Sequence, residues 1–239
     1  MFRLLFLIAL LQFHQPVFST EDTVSQAVAR YLTRIHKYME DEDWINAKRE
    51  LEVTARRYFK NEDSYERALI NQLYGQFYAL QRDYKNAIPW FEKAIAKGRL
   101  PFAADLQVSY SLAQCYFQTG RYKDVIETLE NYRDKASKRG QNMAPIQLML
   151  LGIAYYQEQD TLNAYLNIAE ANATATKLNE EWLQYEFALA VKLEKYDDAV
   201  RVGQFLIFVN PEKKSYWKQL SGVYYLSLIH ISEPTRPRI

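Results

Sequence analysis

The chain has 239 residues, 30 of them Lys or Arg against 29 Asp or Glu, and a formal charge of +1. That balance removes the electrostatic case for a nucleic-acid partner and for adhesion to a membrane surface, since no long run of one sign occurs. With 49% hydrophobic residues but only 7 Gly and 7 Pro, the composition suits an all-helical chain with a full core and not a turn-rich β protein.

Residues 1–19 stand apart from the rest. Arg3 supplies a positive charge, Leu4 to Leu11 is an unbroken apolar run, and Val17-Phe18-Ser19 offers a small-residue cleavage site. The segment is predicted to be a secretory signal peptide, with the mature chain starting near Thr20. The alternative, an uncleaved anchor, meets the difficulty that so short a run is too small for roughly 30 Å of hydrocarbon.

From Thr20 to Arg57, Val24, Val28, Tyr31, Leu32, Ile35, Tyr38 and Met39 recur at helical spacing, and the acidic turn Glu40 to Asp43 precedes a second helix beginning at Trp44. Carboxylates there complement the dipole of the helix they precede. Leu69 to Ile95 reads as two amphipathic helices joined by Gln81-Arg82-Asp83, with small residues at Gly75, Ala87 and Ala94 and large ones at Tyr74, Tyr78, Tyr84 and Phe91. Such stripes of knobs and holes let two helices cross closely. Pro89, inside the second of them, removes one backbone hydrogen bond and is expected to bend the helix outward, on the convex side.

The same spacing recurs at Leu112, Ala113, Tyr116, Gly120 and Tyr122, at Leu151, Gly152, Tyr155, Ala164 and Ala171, at Tyr196, Ala199 and Pro211, and at Trp217, Leu220 and Tyr224. The steps are 38 and 39 residues between Gly75, Ala113 and Gly152, 40 between Ala47 and Ala87, and 35 between Ala164 and Ala199. Arg133 to Asn142 is predicted to be a solvated basic loop, since no aromatic residues interleave its charges. Asn172-Ala173-Thr174 is formally a glycosylation acceptor, live only if exposed. After Leu226 the pattern stops. The segment from Leu228 resembles translated sequencing-adapter read-through, and residues 227–239, with two prolines in the last six, are expected to lie outside the fold as a non-native or disordered tail.

This recurrence resembles the tetratricopeptide repeat, a helix–turn–helix unit of 34 residues with a Leu-Gly pair and an aromatic on its first helix and Ala, aromatic, Ala on its second. The resemblance implies an all-α fold, a right-handed superhelical solenoid of helix pairs, with about five and a half repeats over residues 20–226 and a degenerate, capping first repeat. More narrowly, Asn210-Pro211 followed by Trp217, Gln219-Leu220, Gly222 and Tyr224 is similar to periplasmic tetratricopeptide proteins of gammaproteobacteria associated with TonB energy-transduction systems. That likeness implies a non-catalytic periplasmic accessory of a TonB, ExbB and ExbD assembly. A general periplasmic or extracellular scaffold for envelope assembly is the alternative.

The inventory for catalysis is poor. His14, His36 and His230 fall in the leader, a degenerate helix and the tail, so no metal site or acid–base pair is expected. The lone cysteine, Cys115, reads as a small packed residue, and no cofactor is implied. The expected function is a binding surface for a protein or peptide. In tetratricopeptide solenoids the first helix of each pair lines the concave face, which here selects Gln72, Gln76, Tyr110, Gln114, Phe117, Met149, Tyr156, Gln184 and Lys192. This neutral groove is expected to take an extended or helical segment with apolar and amide side chains. Phe117 and Ile153 are equally readable as packing residues.

Overall fold

The computed structural model describes residues 26–58 and 63–232. The segment read as a signal peptide and the last seven residues lie outside that range. Among the described residues there are eleven helices and no strand: α1 (Gln26–Glu40), α2 (Trp44–Tyr58), α3 (Tyr65–Leu80), α4 (Tyr84–Ile95), α5 (Phe102–Gln118), α6 (Tyr122–Ser137), α7 (Pro145–Gln157), α8 (Thr161–Thr174), α9 (Glu180–Lys192), α10 (Tyr196–Val209) and α11 (Lys214–Ser232). They fall into two compact units that divide within α5, between Val108 and Ser109.

In the first unit, α1 packs on α2 and α3 on α4. The small residues at the predicted crossing are used as such: Ala87 and Ala94 are buried, and a Cβ added to Gly75 would stand 2.5 Å from the Phe91 ring. Tyr74 stacks on Trp90 with ring centroids 4.3 Å apart, and Trp44 meets Phe77 edge-on at 6.0 Å. Pro89 sits within α4 on its exposed side, where the lost hydrogen bond leaves a carbonyl to water.

In the second unit, α7 packs on α8, α9 on α10 and α10 on α11, while α5 meets α6 through the edge-on pair Phe117 and Tyr122. A Cβ on Gly152 would stand 2.6 Å from Ile168 and 3.1 Å from the Ala164 carbonyl oxygen. Polar clasps accompany these contacts. Glu186 of α9 is 1% exposed and accepts from Asn172 of α8 at 2.8 Å and Arg201 of α10 at 2.9 Å. Burying a carboxylate is costly unless it is paired and hydrogen-bonded, and both conditions are met. The Tyr165 hydroxyl donates to Asp198 at 2.6 Å, and the Arg133 guanidinium donates to Asn167. Glu180, at the start of α9, accepts from Tyr216 at 2.5 Å and Lys213 at 2.9 Å, tying α11 to α9. Those bonds, the Tyr216 hydroxyl first, hold the Glu180 carboxyl below its usual range.

Two expectations change, and one open condition is decided. The basic segment after Tyr132 is not a loop from its start: α6 continues to Ser137 and is ended by Gly140 at φ 67°, because Ala136 still packs as a buried residue. The last helix runs six residues past Leu226, to Ser232, since prolines halt a helix only where they occur and the first lies at Pro234. The Asn172 sequon is closed, for its side-chain nitrogen donates to Glu186 and to the Trp182 carbonyl at 3.2 Å and so is not free for modification.

Candidate functional site

The groove residues expected on first helices divide by how deeply each helix is walled in. On α3, Gln76 is 4% exposed and Gln72 half-buried, and the side-chain oxygens of both are buried without a hydrogen-bond partner. On α7 every residue from Leu148 to Ala154 is buried. Met149, 1% exposed, and Ile153 are therefore core residues, and Met149 does not contact a partner as expected. The helix packs against α6 and α8, and its exposed residues lie in its C-terminal turn, with Tyr156 46% exposed.

There the structure brings α7 and α9 together. The Lys192 ammonium lies 5.8 Å from the centre of the Tyr156 ring, within cation–π range. Gln184 is exposed two turns before Lys192 on α9, and Ala188 is exposed between them. Tyr185, which the sequence reading passed over, is half-buried, and burial followed by the Glu181 charge and Tyr156 raises its phenol above the usual range. Its place beside Gln184 in the chain was the available signal.

On α5, Tyr110, Gln114 and Phe117 are each half-buried. Burial pushes the Tyr110 phenol up to about 12, although its hydrogen bond with Gln114 opposes the shift. Tyr132 of α6, which raises Tyr110 further, accepts from Gln147 of α7 at 3.1 Å. A phenol so held stays protonated at neutral pH and acts as a hydrogen-bonding group with an aromatic flank. These side chains offer amide, phenol and one ammonium group, with no acid–base pair among them.

Elsewhere, Cys115 is buried, and burial pushes its thiol up to about 12, which removes nucleophilic character at neutral pH. Burial lowers His36 below its ordinary value, with Glu40 opposing. Among the described residues, no group of three His, Cys, Asp or Glu could hold a metal ion, and no helix is long and apolar enough to cross a membrane.

A second repeated signal, missed in the spacing of apolar residues, lies in the turns. Asp43, Asp83 and Asp160 each precede a second helix and accept from the backbone N–H three residues on, at 3.1, 3.3 and 3.0 Å. Asn46, Asn86 and Asn163 at those positions return a side-chain bond to the same carboxylate, at 2.5, 2.7 and 2.7 Å. The recurring Asp-x-x-Asn-Ala was readable in the sequence.

The family model described as anaphase-promoting complex, cyclosome, subunit 3 matches residues 80–141. Among solved structures, a tetratricopeptide repeat protein from Parabacteroides merdae is 14% identical with a TM-score of 0.59, covering 85% of this chain and 74% of that one. YrrB, described as a TPR protein with an unusual peptide-binding site, is 13% identical with a TM-score of 0.60 over 79% of this chain and 89% of its own. MamA from Desulfovibrio magneticus RS-1 is 16% identical with a TM-score of 0.58, over 86% of this chain and 97% of its own. No curated protein matches the chain. These likenesses show the fold: the chain is built from tetratricopeptide-type helix pairs.

Proposed function

We propose that this chain is a non-catalytic scaffold, exported to the periplasm by residues 1–19, that holds a segment of a protein partner as an accessory of a TonB-dependent energy-transduction and uptake system. The observation that carries the scaffold reading is on α7 and α9, where Tyr156, Lys192 and Gln184 are all exposed and the Lys192 ammonium lies 5.8 Å from the centre of the Tyr156 ring. A tyrosine anchor beside an ammonium and an amide is suited to a segment with apolar, amide or carboxylate groups, since an aromatic ring supplies contact area and its polar neighbours fix orientation. The TonB assignment, with ExbB and ExbD as further partners, rests on the sequence likeness around Asn210 to Tyr224. In the fold those residues serve to fasten α11, through Lys213 and Tyr216 on Glu180.

The test is binding of the chain to the periplasmic part of TonB from the same organism, compared with a Tyr156→Ala, Gln184→Ala variant. Both residues are exposed, so the variant keeps its fold. Saturable binding that the double change weakens at least tenfold, about 1.4 kcal/mol, supports the reading. No binding at micromolar concentration removes TonB as the partner, and the general envelope scaffold then stands in its place.

A further inference from the structure

Buried polar side chains of the second unit have partners: Glu186 accepts from Asn172 and Arg201, and Asn167 donates to the Asn163 carbonyl at 2.8 Å and accepts from Arg133. Helix α3 of the first unit differs. Among the described residues, the side-chain oxygens of Gln72 and Gln76 are buried with no hydrogen-bond partner, and Gln76 is 4% exposed. The two residues stand one turn apart on one side of the helix. Its other sides are taken: Tyr74 and Gly75 meet Trp90 and Phe91 of α4, and Phe77 meets Trp44 of α2. Gln72 is only half-buried, so the row reaches the surface at that end.

A buried acceptor left unpaired costs the desolvation of the group, a cost that an apolar residue of the same shape does not carry. Two such acceptors in one row call for donors at the same spacing. The donors are neutral, because α3 has no charged residue after Arg67 and a buried cation beside amides alone is uncompensated. They recur at about 6 Å, the rise of four helical residues. An extended backbone meets both conditions: its N–H groups are neutral, and those on one edge recur every second residue, about 6.6–6.8 Å apart. A helical segment does not, since its N–H groups are already bonded within the helix.

We infer that α3 seats an extended stretch of a protein partner by its backbone, the N–H groups of residues j and j+2 donating to the side-chain oxygens of Gln72 and Gln76. The inference rests on the scaffold reading above and adds which part of a partner is read at this helix. Main-chain bonds supply affinity without demanding particular side chains. This seat is therefore tolerant of sequence, unlike the aromatic and ammonium groups of Tyr156 and Lys192.

The experiment presents a displayed library of random decapeptides to the full chain and to a Gln72→Met, Gln76→Met variant, and compares the urea unfolding of both chains. Methionine keeps the unbranched shape and removes the acceptor. The variant is expected to be at least as stable as the parent and to bind at least tenfold more weakly a set of peptides, unrelated in sequence, that the parent retains. N-methylation of the even-numbered and of the odd-numbered residues of those peptides is expected to differ at least tenfold in effect, because only one edge of the strand donates. A lower urea midpoint in the variant would overturn the inference, showing that the two oxygens are satisfied within the chain by internal water. A parent that retains no peptide would overturn it too, as would a stable variant that keeps every peptide the parent does. Peptides lost by the variant but indifferent to which edge is methylated would assign the seat to side-chain donors and sink the backbone reading. TonB takes no part in these readouts, so failure of that assignment and failure of this one are separate results.

Discussion

Glycine at four helix-interior positions separates two uses of the same residue. Gly75, Gly152 and Gly203 are close-approach sites, where an added Cβ would stand 2.5, 2.6 and 3.0 Å from a neighbouring side chain. At Gly152 the Ala164 carbonyl oxygen at 3.1 Å closes the other side, and backbone cannot swing away as a side chain can. Gly152→Ala is therefore expected to destabilise by about 1–3 kcal/mol. Gly222 has nothing within 4 Å of its added Cβ, so Gly222→Ala keeps only the benefit of a better helix former, about 0.5–1 kcal/mol. Urea midpoints moving in opposite directions would bear this out; equal shifts would show that the α7–α8 approach is not rigid. His36 gives a pH dependence of known sign. Its folded pKa lies below the ordinary 6.5 because burial disfavours the cation, so the unfolded chain binds the proton first, and stability is lost as pH falls below about 6.5. A His36→Gln variant is expected to show a flatter stability profile between pH 7.5 and 5 than the parent chain; an unchanged slope would assign the loss to other groups.

The turns show how one device is written several ways. In all five, a residue in the left-handed region precedes the second helix: Glu42, Arg82, Gly120, Gln159 and Glu194, at φ 56 to 74°. The next residue's N–H reaches back to Tyr38, Tyr78, Tyr116, Tyr155 or Ala190 at 2.8–3.0 Å, which satisfies carbonyls at the helix end. Only one of the five is Gly, so a search for glycine punctuation finds one turn and misses four. Asp at the following position is the better marker, and its side chain caps the next helix in three of the five turns. Asp160→Ala removes the bonds to both the N–H and the side chain of Asn163 and is expected to cost about 1–2 kcal/mol, read as a lower urea midpoint; Asp160→Asn is expected to recover most of it. Helix pairing and the small-residue crossings were legible because 3.6-residue periodicity is local. Helix ends were less so: α6 runs on because Ala136 packs as a buried residue, and α11 runs on because its first proline lies only at Pro234. The groove was half legible. First-helix phase named Tyr156 and Lys192, which are exposed, but it also named Gln76 and Met149, which are buried, because phase says which side of a helix a residue occupies and not whether a neighbouring helix covers that side.

At the scale of the whole chain, stability follows from contacts between helices adjacent in sequence, such as α7 with α6 and α8, and α9 with α8 and α10. The buried Glu186 is an example: its partners Asn172 and Arg201 come from the helices immediately before and after α9, and neither could be assigned to it from spacing alone. In an array of this type each helix pair is stabilised by itself and by its nearest neighbours, and distant pairs are nearly independent. A lesion inside the second unit is thus expected to propagate to its neighbours and stop. In the Gly152→Ala variant, native-state hydrogen exchange should quicken most in α7 and α8, less in α6 and α9, and remain at the parent rate in α1 and α2, because local opening draws only on the contacts that break. The loss in α7 and α8 is expected to match the drop in urea stability when both are expressed as free energies. Equal acceleration across all helices would mean that the two units unfold as one, and the mutation would then report on global stability instead of on its own pair.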